Sequence, residues 1–327
     1  MNADRVPRRV VLLALAAACA FVGCDTHGGA STAQASVKTP AKWPRNGSAE
    51  HPLEVMLIPA DGGTEDGTKS DFLPLFNAIT KTEGLHFNVR VGQSYGAVVE
   101  AMANGQVDVG FFGPVSYLQA KKRAGAELLA VSVENGSSTY YAGIFVRSDS
   151  PLQSIADLKG KTLAVGDPGS TSSFAYPLAM LLKAGVDPVK DLSKIFFTGS
   201  HVNSLSACAQ GHADAGAASF LSLEKAVTDK KIGGETLRPL ARSEPIPGPP
   251  LAMNPGLDPE VKKKLRDGFA SVHKAPGITP DQVRGYGGKK VDRYDVAYAD
   301  AEFMKAAEEL DRVEGIRDAV LKKAAQN

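Results

Sequence analysis

"TLAVGDPGSTSSFAYPLAMLLKAG", residues 162–185, decides the fold. An apolar run, Thr162 to Val165, passes through Gly166-Asp167-Pro168-Gly169 into four consecutive hydroxyl residues, Ser170, Thr171, Ser172 and Ser173. A helically spaced run then carries on to Gly185. A short apolar run, a Gly/Pro turn and a longer periodic segment read as a strand feeding a helix. Serine at a helix start caps it, because its hydroxyl accepts from an unpaired first-turn amide. One cap needs one hydroxyl. Four of them, beside free amides and the positive end of a helix dipole, also make a seat for an oxyanion.

The same unit recurs on either side. Upstream, "LEVMLIP" is a strand, "SDFLPLFNAITKTEG" a helix capped by Ser70 and ended by Gly84, and "HFNVRVG" a strand. "SYGAVVEAMANG" is a helix closed by Gly105, followed by the strand "VDVGFFG", the helix "SYLQAKKRAG" and the strands "ELLAVSVE" and "YYAGIFVR". Downstream come "KIFFTG", the helix "SHVNSLSACAQG", "ADAGAAS" and the helix "SFLSLEKAVTD". Strands feeding helices predict parallel sheets covered on both faces, the α/β class. Similar pieces on both sides of residue 148 predict two like lobes. Residues 256–327 read as helical and carry no functional signal.

In such sheets ligands sit at the carboxyl ends of strands, where loops lead into helices. Five loops occupy those ends: "DGGTEDG" (61–67), "GQSYG" (92–96), "FFGPVSY" (111–117), "DPGSTSS" (167–173) and "GSHVN" (199–203). They are rich in Gly, hydroxyls, amides and aromatics, and none holds a Lys or Arg. An anion there is held by neutral donors and helix dipoles. Asp61, Glu65 and Asp66, in a Gly-rich loop, read as a solvated turn that is also able to accept a proton from a protonated anion.

The bulk numbers fit a two-lobed protein: 327 residues, 43% hydrophobic, 22% charged, net charge +1. No basic excess points to nucleic acid. "MNADRVPRRVVLLALAAACAFVGC" places Arg5, Arg8 and Arg9 before an apolar run that is short for a spanning helix, then Gly23-Cys24. That is the plan of an export signal over residues 1–23. "FVGC" resembles a bacterial lipobox, in which Cys24 is lipidated and becomes the first mature residue; Asp25 resembles the signal retaining lipoproteins at the inner membrane of Gram-negative cells. Losing Asp4 and three arginines takes the net charge from +1 to −1. Residues 24–52, small, polar and Pro-containing, read as a flexible tether. Cys19 leaves with the signal, so Cys208 stands alone in the mature chain and no disulfide framework is available.

Three segments then fit one family. "DSPLQSIADLKGKTLAVGDPGSTSSFAYP", "YGAVVEAMANGQVDVGFFGPVSY" and "GSHVNSLSACAQGHADAGA" resemble, in order, motifs of the phosphonate-binding (PhnD-like) substrate-binding proteins of ABC importers. The resemblance covers roughly residues 53–255. It implies a type II periplasmic-binding fold: two α/β lobes, two crossover strands and a ligand cleft, with residues 53–146 and 246–327 in lobe I and 147–245 in lobe II. By position it implies ligand contacts from Tyr95, Gly113, Tyr140, Ser170, Thr171, Ser172 and His201. Ser173 stands where the family commonly has Gly, and Phe112 where relatives often have Tyr. The implied protein is a lipid-anchored monomer on the periplasmic side of the inner membrane, or on the cell surface in a Gram-positive organism. It serves a permease and ATPase and uses no cofactor or metal. Relatives that take aminoethylphosphonate place two carboxylates opposite the phosphonate; those positions here are Leu221 and Pro249. The resemblance therefore implies phosphate, phosphite or methylphosphonate. A second reading, from the same fold, is a ligand-presenting partner of a sensor kinase.

Other features have ordinary readings. His201 alone at a helix start is as readily a surface residue, and Tyr95 and Tyr140 half-buried aromatics. Cys208 between two alanines reads as core packing. "KKKLR" (262–266) is a charged helix face. His27, His51, His86, His212 and His273 lack metal-ligand spacing. No G-x-S-x-G elbow, P-loop or Asp-oriented Ser/His pair points to catalysis.

Overall fold

The apolar runs become strands and the periodic runs helices throughout the computed structural model, which describes residues 44–61 and 65–326. The first lobe strings together β1 (Leu53–Leu57), α1 (Glu65–Glu83), β2 (Phe87–Val91), α2 (Tyr95–Ala103), β3 (Val109–Phe111), α3 (Pro114–Ala124) and β4 (Glu127–Val133). β1 alternates buried and half-buried positions, so one face lies on the core. α1 starts at Glu65, five residues before the expected cap. Glu65 and Asp66 complement the positive end of its dipole, and Ser70 lies inside, donating to the Asp66 carbonyl at 2.8 Å.

The chain crosses through β5 (Thr139–Tyr140) into β6 (Ala142–Arg147) and builds the second lobe. There follow β7 (Thr162–Val165), α4 (Tyr176–Lys183), β8 (Lys194–Phe197), α5 (His201–Ala209), β9 (Ala215–Ser219), α6 (Phe220–Thr228) and β10 (Leu237–Arg242). It returns through β11 (Ile246–Pro247) to β12 (Pro250–Met253), α7 (Pro259–Ser271), β13 (Arg293–Asp295) and α8 (Met304–Ala325). The two crossings run side by side, with Tyr140 opposite Ile246 and Thr139 opposite Pro247.

Among the described residues one sheet has the order β13-β4-β12-β3-β1-β2 and the other β10-β6-β9-β7-β8. Omitting β13, the two orders superpose strand for strand, which is the duplication the sequence suggested. The sheets are mixed rather than all parallel. β1 runs parallel to β2 and β3, and β7 to β8 and β9, but each crossover delivers its strand antiparallel: β6 beside β9, β12 beside β3.

Three expected boundaries move. "YYAGIFVR" read as the last strand of lobe I, yet β6 pairs with β9 and β10, so the changeover falls at Thr139–Tyr140 rather than residue 147. α8 leaves the first lobe: Phe303 belongs to the first core, whereas Val313 and Val320 pack in the second. Residues 44–52, expected as tether, pack on lobe I. The Arg45 guanidinium donates to the fully buried Asp108 carboxylate, and the His86 amide to the Gly47 carbonyl at 2.8 Å. The expected signal peptide, Cys24 and the tether up to residue 43 lie outside the described residues. Residues 256–327 hold short 3-10 turns and β13 between two helices, not helix throughout.

Phe72, Phe76, Phe111 and Phe269 fill the first core, and Ile144, Val146, Leu163, Val165, Phe174 and Leu178 the second. Each such side chain contributes about 1.5–3 kcal/mol by leaving water. Cys208 is buried in a further cluster of the second lobe with Phe145 and Leu205, its thiol donating to the Phe145 carbonyl at 3.4 Å. The two cores hold the strand ends, and hence the loops, facing one another.

Candidate functional site

The loops between strands and helices meet where the two lobes touch. Four of the helix starts there are capped by serine. Ser94, Ser170, Ser200 and Ser219 each accept, through the side chain, the amide three residues on; Gly113 with Pro114 opens the fifth. Ser170 is thus the one cap that the helix after β7 requires. The first turn after it is a π-turn, Thr171–Ala175, in which the Ala175 amide reaches back to the Ser170 carbonyl at 3.1 Å. Such widened turns gather at functional sites.

The remaining three hydroxyls of the run differ in role. Thr171 Oγ1 accepts the Val115 amide from the other lobe at 2.9 Å. Ser172 Oγ is buried without a hydrogen-bond partner. Ser173 Oγ is likewise unpartnered, but it lies against Gly166 at the end of β7: a Cβ on Gly166 would stand 2.2 Å from it. Leaving a buried hydroxyl unpaired costs about 1–3 kcal/mol, a cost that Ser172 and Ser173 both carry.

His201, the first residue of α5, is fully buried at the centre of that set. Its Nδ1 accepts the Ser219 amide at 2.9 Å. In the neutral imidazole the proton therefore sits on Nε2. Burial depresses the imidazole pKa to about 3, so the neutral form is the one present. Around Nε2 lie the Tyr286 hydroxyl at 2.7 Å, Ser170 Oγ at 3.2 Å and the Tyr95 hydroxyl at 3.5 Å; the two tyrosine hydroxyls are 2.9 Å apart. Burial pushes Tyr95, Tyr140 and Tyr286 above the ordinary phenol range, so all three stay protonated donors. The Tyr140 hydroxyl lies toward Ser172 and Thr171, which partly offset its shift, without forming a bond to Ser172. Gly113 lets the chains approach: a Cβ there would meet Thr171 Oγ1 at 3.2 Å and the Tyr95 ring at 3.6 Å.

All seven residues expected from the sequence thus fall in one buried region. Three further ones join them. Tyr286, from a segment that read as uninformative, bonds His201. Asp167 accepts the Gly169 amide at 2.6 Å and, from across the cleft, the Tyr95 amide at 3.3 Å. Asp61, which read as part of a solvated turn, is 8% exposed and accepts the Ser222 hydroxyl at 2.7 Å; Glu65 and Asp66 are exposed. Burial raises the Asp61 carboxyl to about 6. A signal for Tyr286 was there: an aromatic set among glycines, Gly285-Tyr286-Gly287-Gly288, has the composition of the five loops. Phe112 contributes nothing, since its ring covers Gly110. Leu221 packs with Tyr140, Tyr176 and Ile246, Pro249 is buried, and the nearby Glu224 pairs with Lys289 at 2.5 Å.

The contacts that join the lobes are largely the site's own. Besides the Val115, Tyr95 and Ser222 bonds, the His201 amide donates to the Ala60 carbonyl at 3.2 Å. Lys121 and Arg123, the exposed bases on α3, pair with Asp300 and Glu100 instead. The result is a cleft of neutral donors without an arginine or lysine among the residues that meet at His201.

Two α/β lobes of matching strand order, joined by paired crossovers and closing on such a cleft, define a protein of the type II periplasmic-binding fold. The comparisons make the family specific. The family model "ABC transporter, phosphonate, periplasmic substrate-binding protein" matches residues 63–303, and the chain belongs to that family. It is 31% identical over 271 residues to the "Phosphate-import protein PhnD" of Mycolicibacterium smegmatis, covering 79% of this chain and 81% of that protein. It is 27% identical over 218 residues to the "Phosphonates-binding periplasmic protein" of Escherichia coli, covering 65% and 64%. Among solved structures, PhnD1 from Prochlorococcus marinus in complex with methylphosphonate has the same fold, with TM-score 0.69 and 18% identity over 80% of this chain and 98% of that one. Among the described residues no helix is long and apolar enough to cross a membrane.

Proposed function

We propose that this chain is the extracytoplasmic binding lipoprotein of an ABC importer, that it captures a small phosphorus oxyanion in the cleft, and that it is not an enzyme. The ligand is phosphate, phosphite or methylphosphonate. Ser170, Thr171, Ser172, Tyr95, Tyr140, His201 and Tyr286 supply the donors, Gly113 the room, and Cys24 the lipid anchor. One observation carries the reading. His201 Nε2–H, the unpartnered Ser172 hydroxyl and three protonated tyrosines converge at a helix start, a donor set with no cation. An oxyanion is what such a set binds: each charge-assisted bond contributes about 1.5–3 kcal/mol, and the dipoles supply the opposite charge.

The narrowing within that class rests on Leu221 and Pro249. Neither offers a carboxylate to an ammonium, and an unpaired ammonium in a closed cleft costs several kcal/mol. The likeness to a mycobacterial protein named for phosphate import points the same way. The test is a thermal-shift panel of phosphate, phosphite, methylphosphonate, aminoethylphosphonate and sulfate. Ligand at 100 times Kd adds about 2.7 kcal/mol of stability, and at least one of the first three is expected to do so. Clear preference for aminoethylphosphonate would refute the reading of Leu221 and Pro249.

A further inference from the structure

A helix start carries unpaired amides and a partial positive charge, and α1 meets its own with Glu65 and Asp66. The first turn of α2 has no acidic residue. Its cap, Ser94, takes the Ala97 amide and leaves the Tyr95 amide to another acceptor. That acceptor comes from the opposite lobe. Asp167 Oδ2 accepts the Tyr95 amide at 3.3 Å, while Oδ1 takes the Gly169 amide of its own loop at 2.6 Å. Asp167 is 7% exposed, and a buried carboxylate is costly unless its oxygens are bonded. Here one oxygen is served locally and the other only across the cleft. Burial holds the carboxyl above its ordinary range; the Gly169 and Tyr95 amides and the charge of Arg317 oppose that shift. The loop is shaped for the same approach. Gly169 lies so close to Tyr95 that a Cβ on it would stand 2.7 Å from Tyr95 Cβ. Behind the loop, Arg317 of α8 donates to the Pro168 carbonyl at 3.3 Å.

Resting on the reading above, we propose that Asp167 is the positioning residue for Tyr95: it bonds the Tyr95 amide across the cleft and so sets the Tyr95 hydroxyl, a donor of the first lobe, among the donors of the second. Asp167 lies three residues before Ser170 in one loop, so anchoring Tyr95 to Asp167 anchors it to the hydroxyl run. The amide bond and the Gly169 seat fix the root of the side chain. At its far end the hydroxyl reaches the Tyr286 hydroxyl at 2.9 Å and His201 Nε2 at 3.5 Å, contacts that it exchanges for the anion. Binding donors work only when held within about 0.5 Å of place, so a shift at the root is felt at the tip. Both carboxylate oxygens are committed to amides, and Asp167 therefore acts on the anion through Tyr95. Its charge by itself opposes an anion. Any gain it gives comes from placement.

The test is titration calorimetry with phosphate, phosphite and methylphosphonate on wild type, Asp167→Ala, Asp167→Asn, Gly169→Ala, Tyr95→Phe and the double variant Asp167→Ala/Tyr95→Phe. Asp167→Ala should bind at least about tenfold more weakly, and Asp167→Asn, which keeps one acceptor oxygen, should recover part of that loss. Gly169 does not have a left-handed φ, so Gly169→Ala should fold as wild type does; its methyl presses on Tyr95 and should weaken binding about fivefold or more. In Tyr95→Phe the hydroxyl is already gone, and adding Asp167→Ala should cost less than about threefold more. Unchanged binding in folded Asp167→Ala or in Gly169→Ala overturns the proposal. Tighter binding in Asp167→Ala does so too, because it leaves the carboxylate as a repelling charge. Equal losses with and without the Tyr95 hydroxyl also overturn it, since Asp167 would then act on the fold or on closure alone. Should Asp167→Ala not fold, Asp167→Asn is combined with Tyr95→Phe and read by the same criteria. Wild type that binds none of the three anions would sink the functional reading itself; wild type that binds one while the Asp167 and Tyr95 losses simply add sinks only the role of Asp167.

Discussion

Replacing His201 by alanine perturbs the site at its centre, and the consequences can be worked out for binding and for stability separately. Nε2–H is a charge-assisted donor to the anion, so its loss costs about 1.5–3 kcal/mol, or roughly 10- to 150-fold in Kd. On the other side, the Ser219 amide loses its buried acceptor, which costs about 1–3 kcal/mol of fold stability. The pH dependence gives an independent check. The folded imidazole has its pKa lowered by burial from 6.5 to about 3. The unfolded chain therefore takes up a proton near pH 6.5 that the folded chain refuses until about pH 3. Stability falls as pH drops through that window, by about 1.4 kcal/mol per unit and up to about 5 kcal/mol at its foot. Titration calorimetry with phosphate at pH 7.5, and urea melts from pH 7.5 to 4, measure both. His201→Ala should bind at least tenfold more weakly and lose most of the acid sensitivity between pH 6.5 and 4. Phosphate affinity within threefold of wild type would refute the placement of Nε2–H in the site.

Thr171→Ala strips the acceptor from the Val115 amide across the cleft and should weaken phosphate binding at least tenfold. Ser173→Ala, whose hydroxyl faces Gly166, should leave Kd within threefold; calorimetry on the pair checks both. Asp61 behaves opposite to His201, because burial raises its pKa from 3.8 to about 6: the unfolded carboxyl ionises near pH 3.8 but the folded one only near 6, so stability is lost as pH rises through that interval and the ionised form carries about 3 kcal/mol above it. Urea melts of the ligand-free protein should accordingly show Asp61→Asn gaining on wild type as pH rises from about 4 to about 6 and keeping that gain above it; a difference that does not change across that window would contradict a buried Asp61 whose carboxyl is raised. Finally, Cys24→Ser should release the protein from membranes or block its processing, seen by fractionation and mass, while the purified body still binds phosphate; normal processing with retention would remove the lipid anchor.

The helix starts were legible because they are local. Ser170 capping the turn before "TSSFA", Ser94 before Tyr95 and Ser200 before His201 follow from hydroxyls placed ahead of periodic segments. What escaped the sequence depends on tertiary partners. "AGIFVR" has the same pattern whichever lobe receives it, so only pairing with β9 and β10 reveals that β6 belongs to the second sheet. Asp61 in its Gly-rich loop has the composition of a solvated turn; α6, brought from 160 residues away, buries it. Tyr286 sits in a run of 3-10 turns without periodicity, and nothing local couples it to His201. Ser70 misled for the opposite reason, because a good capping residue also fits inside a helix by bonding back to Asp66.

The closed cleft also explains how an anion can be bound tightly with no cation. Val115 donates to Thr171, Tyr286 and Tyr95 share His201, and Ser222 donates to Asp61, so the closed lobes already satisfy most of the groups an anion would use. Apart from the Ser222–Asp61 bond these are neutral bonds, each worth about 0.5–1.5 kcal/mol net, whereas the same donor on an oxyanion contributes about 1.5–3. The gain per donor is therefore about 1–1.5 kcal/mol. Seven donors, from Tyr95, Tyr140, Ser170, Thr171, Ser172, His201 and Tyr286, amount to roughly 7–10 kcal/mol, in the range of a Kd from about ten micromolar to tens of nanomolar. The donors are held in place by serine caps and by one another, so little further ordering is needed when the anion arrives. A lysine would add attraction, but it would add it equally for sulfate, chloride and carboxylates. Neutral donors tie affinity to the shape of the ligand instead, as the substrate-binding reading requires.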